Sequence, residues 1–249
     1  MSIVHSVHSY LRNPQHPVTV HLVGVGGTGS QVLAGLARIH ASLQALDHPG
    51  LHVTVFDPDQ VSEANIGRQL FSLGDVGHNK ADVLTTRINR FYGTGWESAA
   101  IPYVISPYYW KPNILITCVD TAKARLEIGD LIRSAGDGKE PYAKGLYWMD
   151  FGNSQKTGQV VLGSLYKNPW VALKTVDEIF DLLTVEEDDQ GPSCSLAEAL
   201  SKQDLFINST LANLGCNLVW KLFREQTLST QGLFLNLETM QTRPIKISD

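Results

Sequence analysis

The 249-residue sequence predicts an α/β fold, a doubly wound and mostly parallel sheet that ends in mixed strands reached through a crossover loop. Three observations predict it. Strand-like and helix-like segments alternate up to residue 140, the pattern of a parallel sheet covered by helices. A glycine-rich turn joins the first of these strands to the first helix. The apolar run from Asn113 to Val119 has the unbroken character of a strand buried on both faces.

Taken in order, Val18 to Val23 reads as a strand, and Gly24-Val-Gly-Gly-Thr-Gly-Ser30 as the turn after it. A helix follows, with Val32, Leu33, Leu36, Ile39 and Leu43 at helical spacing. His48-Pro49-Gly50 breaks it, and Leu51 to Phe56 forms the second strand, closed by Asp57-Pro58-Asp59. A second helix starts near Lys80 and carries Val83, Leu84, Ile88 and Phe91. The strand through Asn113 to Val119 ends at Asp120, and another helix follows. Ala143 to Trp148 and Gly158 to Leu162 read as two more strands. The stretch from Leu165 to Pro192 lacks periodicity, and its acidic run Glu186 to Asp189 reads as a solvated face. Ile207, Leu211, Leu214, Leu218 and Leu222 mark a long helix, and Gly232 to Leu237 and Pro244 to Ile247 are closing strands.

Composition narrows the function classes. Apolar residues make up 43% of the chain, enough for a substantial core. The net charge of −5 supplies no basic field for nucleic acid or anionic lipid, so neither is an expected partner. No apolar run approaches the roughly 18 residues of a membrane span, and Met1-Ser2-Ile3-Val4-His5 lacks the regions of a secretory signal. A cytoplasmic protein is the expectation. Three dispersed cysteines, Cys118, Cys194 and Cys216, imply thiols rather than a disulfide framework, and no spacing suggests a zinc site.

The chemistry is concentrated at the turns. Gly24-x-Gly26-x-x-Gly29, between a strand and a helix, has the context of a dinucleotide fingerprint: glycines admit a phosphate to the backbone, and the helix start offers N–H groups and a positive dipole. Asp57, at the end of the second strand, is placed to accept from a ribose hydroxyl, which suits NAD as well as ATP. Arg68 and Lys80 separate the two. Two cations directed at one glycine loop suit a triphosphate and the charge that develops when its α-phosphorus is attacked. Asp120, at the carboxyl end of a central strand, enters the same crevice and is a candidate ligand for Mg²⁺.

With these residues the chain resembles the ThiF/MoeB/HesA family, bacterial relatives of ubiquitin-activating enzymes. The carriers are the Gly24-x-Gly26-Gly27 loop, Asp57-x-Asp59-x-Val61, Asn65-x-x-Arg68-Gln69, the downstream Lys80, and Asp120 after its apolar strand. The resemblance runs from about Val18 to Leu162 and continues more weakly to the end; the tail around Pro192 to Leu200 and Gln203 to Asn208 looks most like the ThiF-type proteins of the PRTRC cassette. It implies a Rossmann-like fold and ATP-dependent adenylation of the C-terminal glycine carboxylate of a ubiquitin-like or sulfur-carrier protein, usually by a homodimer. It further implies that Gly24, Gly26, Gly27, Gly29, Asp57, Asp59, Asn65 and Gln69 bind the nucleotide, that Arg68 and Lys80 act on the phosphates, and that Asp120 holds magnesium.

The chain departs from the family in three places. Thr121 stands where Asn is common, although Arg125 fits the usual downstream arginine; the two Cys-x-x-Cys pairs of many members are missing; and Arg12 is the candidate for an arginine that crosses the dimer. Cys194 precedes a predicted helix, where a thiol gains acidity, and relatives carry an acyl-accepting cysteine in a comparable crossover loop. Ser193 and Ser195 equally suit a plain N-cap with Glu198 as its partner. The whole of 1–249 then reads as a single adenylation domain: a nucleotide-binding core over 1–164, a crossover or lid segment over 165–193, and a C-terminal helix with strands over 194–249. The alternatives are an NAD-dependent oxidoreductase, which would leave Arg68, Gln69, Lys80 and Asp120 without a role, and a catalytically silent scaffold for a ubiquitin-like protein.

Overall fold

A computed structural model describes residues 3–106, 108–168, 171–183 and 202–248. Its strands are β1 (His5–Ser6), β2 (Val18–Val23), β3 (Leu51–Phe56), β4 (Glu97–Ala99), β5 (Ile114–Thr117), β6 (Tyr147–Asn153), β7 (Thr157–Ser164), β8 (Thr227–Leu228), β9 (Thr230–Asn236) and β10 (Gln241–Lys246). The helices are α1 (Gly27–Gln44), α2 (Lys80–Tyr92), α3 (Ala122–Ser134), α4 (Val176–Ile179) and α5 (Ile207–Arg224). Eight strands form one sheet in the order β10-β9-β7-β6-β5-β2-β3-β4. From β6 to β4 all neighbours run parallel, whereas β10, β9 and β7 each run antiparallel to the strand after them in that order. This is the doubly wound, mostly parallel sheet that the alternation predicts, and the C-terminal strands expected to be mixed are antiparallel.

After β2 the chain passes to β3 on one side, and β5 later pairs with β2 on the other. The turn following β2 therefore lies at the point where strand order reverses, the place at which open α/β sheets form a crevice. One sheet face is buried against α1, α2 and α5 through Leu33, Leu36, Leu84, Leu211 and Leu222. The other is covered by α3 and α4 through Ile128, Ile132, Trp148 and Val176. Cys216 packs into α1: a Cβ on Gly35 would lie 2.4 Å from its sulfur, so α1 and α5 approach closely only because Gly35 has no side chain.

Several details differ from the sequence reading. Pro141–Ala143 form a 3-10 turn, so the strand expected from Ala143 starts at Tyr147 and runs to Asn153. Strand β4, too short and polar to carry a periodic signal, joins the sheet edge beside β3. Phe91 is 80% exposed despite its helical spacing, because the face of α2 that meets the core is set by Ala81 and Leu84. Cys118, read as strand core, is half-buried just beyond the end of β5.

Candidate functional site

The glycine loop is fixed by close backbone contacts. Gly24 has φ +82°, and a Cβ there would meet the Cys118 carbonyl oxygen at 2.8 Å. At Gly29 a Cβ would lie 1.9 Å from the Gly24 carbonyl oxygen, so the first turn of α1 can sit on the loop only without a side chain. The loop is thus wedged between the ends of β2 and β5, with Gly26 as the N-cap of α1.

Asp57 is buried and ties this loop to the end of β3, accepting from the Val25 N–H at 2.7 Å and the Asp59 N–H at 2.9 Å. Burial pushes its carboxyl above the usual carboxylate range, while those two N–H groups and the Lys80 charge oppose the rise. Lys80 opens α2 and is itself buried, with Nζ 2.9 Å from an Asp59 carboxylate oxygen. Asn79 fixes the arrangement: its Nδ2 donates to the carbonyls of Asp57 (2.8 Å) and Asp59 (3.0 Å), and its oxygen caps α2 by accepting from the Asp82 N–H. An Asn immediately before a helix is a readable N-cap signal, but its hold on both carbonyls is not legible in the sequence.

The loop between Asp59 and Lys80 brings in the other candidates. Asn65 folds its side chain into its own turn, accepting from the Ser62 N–H at 2.9 Å, and so shapes the loop that carries Arg68. Gly67, at φ +83°, supplies the left-handed step before Arg68. Gln69 is buried, and its amide lies 3.9 Å from where a Cβ on Gly26 would be. Desolvation lowers the Arg68 guanidinium from its ordinary value and the charge of Asp120 opposes this, so the two groups share one electrostatic environment. Asp120 is exposed beyond the end of β5. Among the described residues no group of three His, Cys, Asp or Glu side chains is gathered as a metal would require, so any ion bound at Asp120 would take most of its ligands from phosphate and water.

Two buried polar atoms here have no hydrogen-bond partner, Arg68 Nε and Gln69 Oε1. Each such atom costs about 1–3 kcal/mol unless something satisfies it. Among the described residues the two other buried unpaired atoms are the hydroxyls of Tyr10 and Thr85, both on neutral side chains. Adjacent residues beside a glycine loop therefore present an unused donor on a cation and an unused acceptor.

Residues that the sequence reading gave no role complete the site. Thr28 Oγ1 donates to Asn208 Oδ1 at 2.9 Å, Asn153 Nδ2 donates to the same oxygen at 3.3 Å, and Asn208 Nδ2 donates to Gln203 Oε1 at 2.9 Å. Gln203 Oε1 also accepts from Arg68 Nη1. Asn208 fills the space in which a Cβ on Gly27 would sit, 2.7 Å away. Arg125 is buried elsewhere, its Nε donating to both Asp150 oxygens at 3.0 and 3.1 Å and its Nη2 to the carbonyls of Val119 and Phe151. It braces the end of β5 against β6. Cys194, with Ser193, Ser195 and Glu198, lies outside the described residues.

The structure thus brings together Gly24, Gly26, Gly27, Gly29, Asp57, Gln69, Arg68 and Asp120 at the carboxyl ends of the parallel strands, and turns Lys80 towards Asp59. Against known proteins, the sequence profile of the ThiF family matches residues 15–248. No curated protein matches the sequence. Among solved structures, that of PaaA aligns with a TM-score of 0.60 and 16% identity over 92% of this chain and 64% of its own. Escherichia coli MccB aligns at 0.60 and 18% identity over 96% of this chain and 63% of its own, and its ATP complex at 0.61 and 17% over 96% and 65%. The chain spans less than two thirds of the length of these structures. Their likeness concerns the fold.

Proposed function

The chain belongs to the ThiF family, and from that premise we propose that it is an ATP-dependent adenylyltransferase that activates the C-terminal glycine carboxylate of a ubiquitin-like or sulfur-carrier protein. The observation that carries this reading is the unpaired buried donor Arg68 Nε beside the glycine loop, next to which Gln69 Oε1 is free to accept from a donor of the nucleoside. A hydride-transfer enzyme has no use for a half-buried guanidinium with an unpaired donor there, whereas a triphosphate does. Support also comes from MccB, whose structures have been solved with ATP and with MccA.

In the proposed reaction a carboxylate oxygen attacks the α-phosphorus, a new O–P bond forms, the bond to the β-phosphate oxygen breaks, and pyrophosphate leaves. Gly24, Gly26, Gly27 and Gly29 admit the phosphates to the start of α1. The remaining lone pairs of Asp57 receive a ribose hydroxyl. Gln69 supplies its free acceptor beneath the loop, while Asn65 and Asp59 hold the loop and Lys80 in place. Arg68 and Lys80 balance the charge that gathers on the phosphorus and its oxygens. Asp120 is the carboxylate that would hold magnesium, which would supply charge neutralisation at the phosphates.

The same reading includes a homodimer with Arg12 reaching a partner, a place in the PRTRC-type branch, a cytoplasmic setting, a single domain with a crossover over 165–193, and Cys194 as the acyl acceptor. Among the described residues no helix is long and apolar enough to cross a membrane. The test is mass spectrometry of a glycine-ended carrier incubated with ATP, magnesium and this protein. A carrier–AMP species with release of pyrophosphate is the expected result; a carrier unchanged across candidates while NAD is bound instead would overturn the reading. Cys194→Ala is expected to retain the adenylate and lose any conjugate sensitive to reducing thiols.

A further inference from the structure

We propose that Gln203 is a positioning residue for Arg68, and that the position demands a neutral acceptor. The inference rests on the adenylyltransferase reading of the site. A single amide oxygen, Gln203 Oε1, accepts from Arg68 Nη1 and from Asn208 Nδ2. Asn208 is 2% exposed and is held by Thr28 and Asn153, so Gln203 is referenced to the first turns of α1 and α5 and to the end of β6. The guanidinium is therefore oriented by three elements of the fold that the Arg68 loop does not belong to.

The chemistry of the acceptor matters as much as its place. Among the described residues Arg68 forms no ion pair within 4.0 Å, and its Nε remains unpaired. A carboxylate at residue 203 would orient the guanidinium equally well through a charge-assisted bond, but it would also neutralise it. An amide fixes the fork and leaves its positive charge to an incoming phosphate. Nothing in the local sequence, Lys202-Gln203-Asp204, announces this role, since the contact closes 135 residues away from Arg68.

The test compares Gln203→Glu, Gln203→Ala, Arg68→Ala and the Arg68→Ala/Gln203→Ala double variant by calorimetric titration with Mg·ATP and with adenosine, alongside thermal melts. Gln203→Glu is expected to weaken ATP binding by about tenfold or more, the effect of cancelling one phosphate contact. Its melting temperature should match or exceed that of the wild type, and adenosine binding should not change. Gln203→Ala is expected to weaken ATP by about threefold, with no further loss when added to Arg68→Ala, as coupled residues require. A purely structural role ranks the near-isosteric Gln203→Glu above Gln203→Ala, so that ranking overturns the inference. So do losses that multiply in the double variant. Should Gln203→Glu fail to fold, Gln203→Met takes its place with the Gln203→Ala expectations and the same cycle. Wild-type protein that binds no ATP overturns the function reading as well, whereas ATP binding that Arg68→Ala weakens and Gln203→Glu leaves intact overturns this inference alone.

Discussion

At the amino ends of the parallel strands, buried polar groups are consumed by one another. Asn113 is fully buried, and its oxygen accepts from the Thr19 N–H and hydroxyl at 3.2 Å while its amide donates to the Pro141 and Lys144 carbonyls at 2.9 Å. The Tyr147 hydroxyl meets His5 Nε2 at 3.0 Å, the His8 N–H at 2.9 Å and the Tyr166 hydroxyl at 3.1 Å. At the carboxyl ends, Arg68 and Gln69 each keep an atom unspent. The same sheet thus carries at one end a network closed but for the neutral Tyr10 hydroxyl, and at the other an open one that includes a cation's donor. A satisfied buried polar cluster locks the fold; an unsatisfied one is stability given up for a ligand.

The largest effect that would break this comparison is expected at Asp150, which belongs to the closed class although it lies near the carboxyl ends. Asp150→Ala strands the buried Arg125, and urea denaturation should show a loss of about 3–5 kcal/mol. A loss below about 1 kcal/mol would mean that the Arg125–Asp150 pair is not the brace described above. At the open end the cost should fall on turnover instead. Arg68→Ala and Lys80→Ala are expected to lower turnover by about 10²-fold or more, as when one preorganised contact is removed, with Arg68→Ala costing little stability. Pyrophosphate exchange at near wild-type rates in both variants would contradict the assignment.

The smallest effect concerns pH. Burial lowers the pKa of His5 from its ordinary 6.5, and the bond to Val171 opposes this only in part. His21, packed under Phe56 and Tyr103, is lowered to about 3. Because the folded values lie below the unfolded one, the unfolded state takes up protons first. Stability is full above about pH 6.5 and is lost as pH falls from there towards the folded values. Each such group contributes at most about 1.4 kcal/mol per pH unit. His5→Gln should therefore show a shallower decline in unfolding free energy between pH 7.5 and 5.5 than wild type; parallel curves would remove His5 from the closed network's account.

The sequence disclosed the fold well where one local signal sufficed. Periodicity located α1, α2 and α5 and the strands β2, β3 and β5, and the glycine spacing located the loop. It disclosed less where structure depends on distant pairing. Strand β4 has three residues and forms because β3 offers an edge. Candidate residues were legible as a set of motifs, yet the division of labour among them was not. Asn65 serves its own turn, Asp57 spends two lone pairs on the loop, and Asn208 and Gln203 enter from the other end of the chain. Those relations are made by folding, across more than a hundred residues.

In the proposed function the open polar atoms at the carboxyl ends await a nucleoside triphosphate. Its most direct test is a pair of calorimetric titrations of the wild-type protein in magnesium buffer, one with ATP and one with NAD, each repeated on Arg68→Ala. ATP should bind the wild type with NAD showing no measurable heat, and Arg68→Ala should weaken ATP by about tenfold or more. Preferential binding of NAD, or ATP affinity indifferent to Arg68, would contradict it.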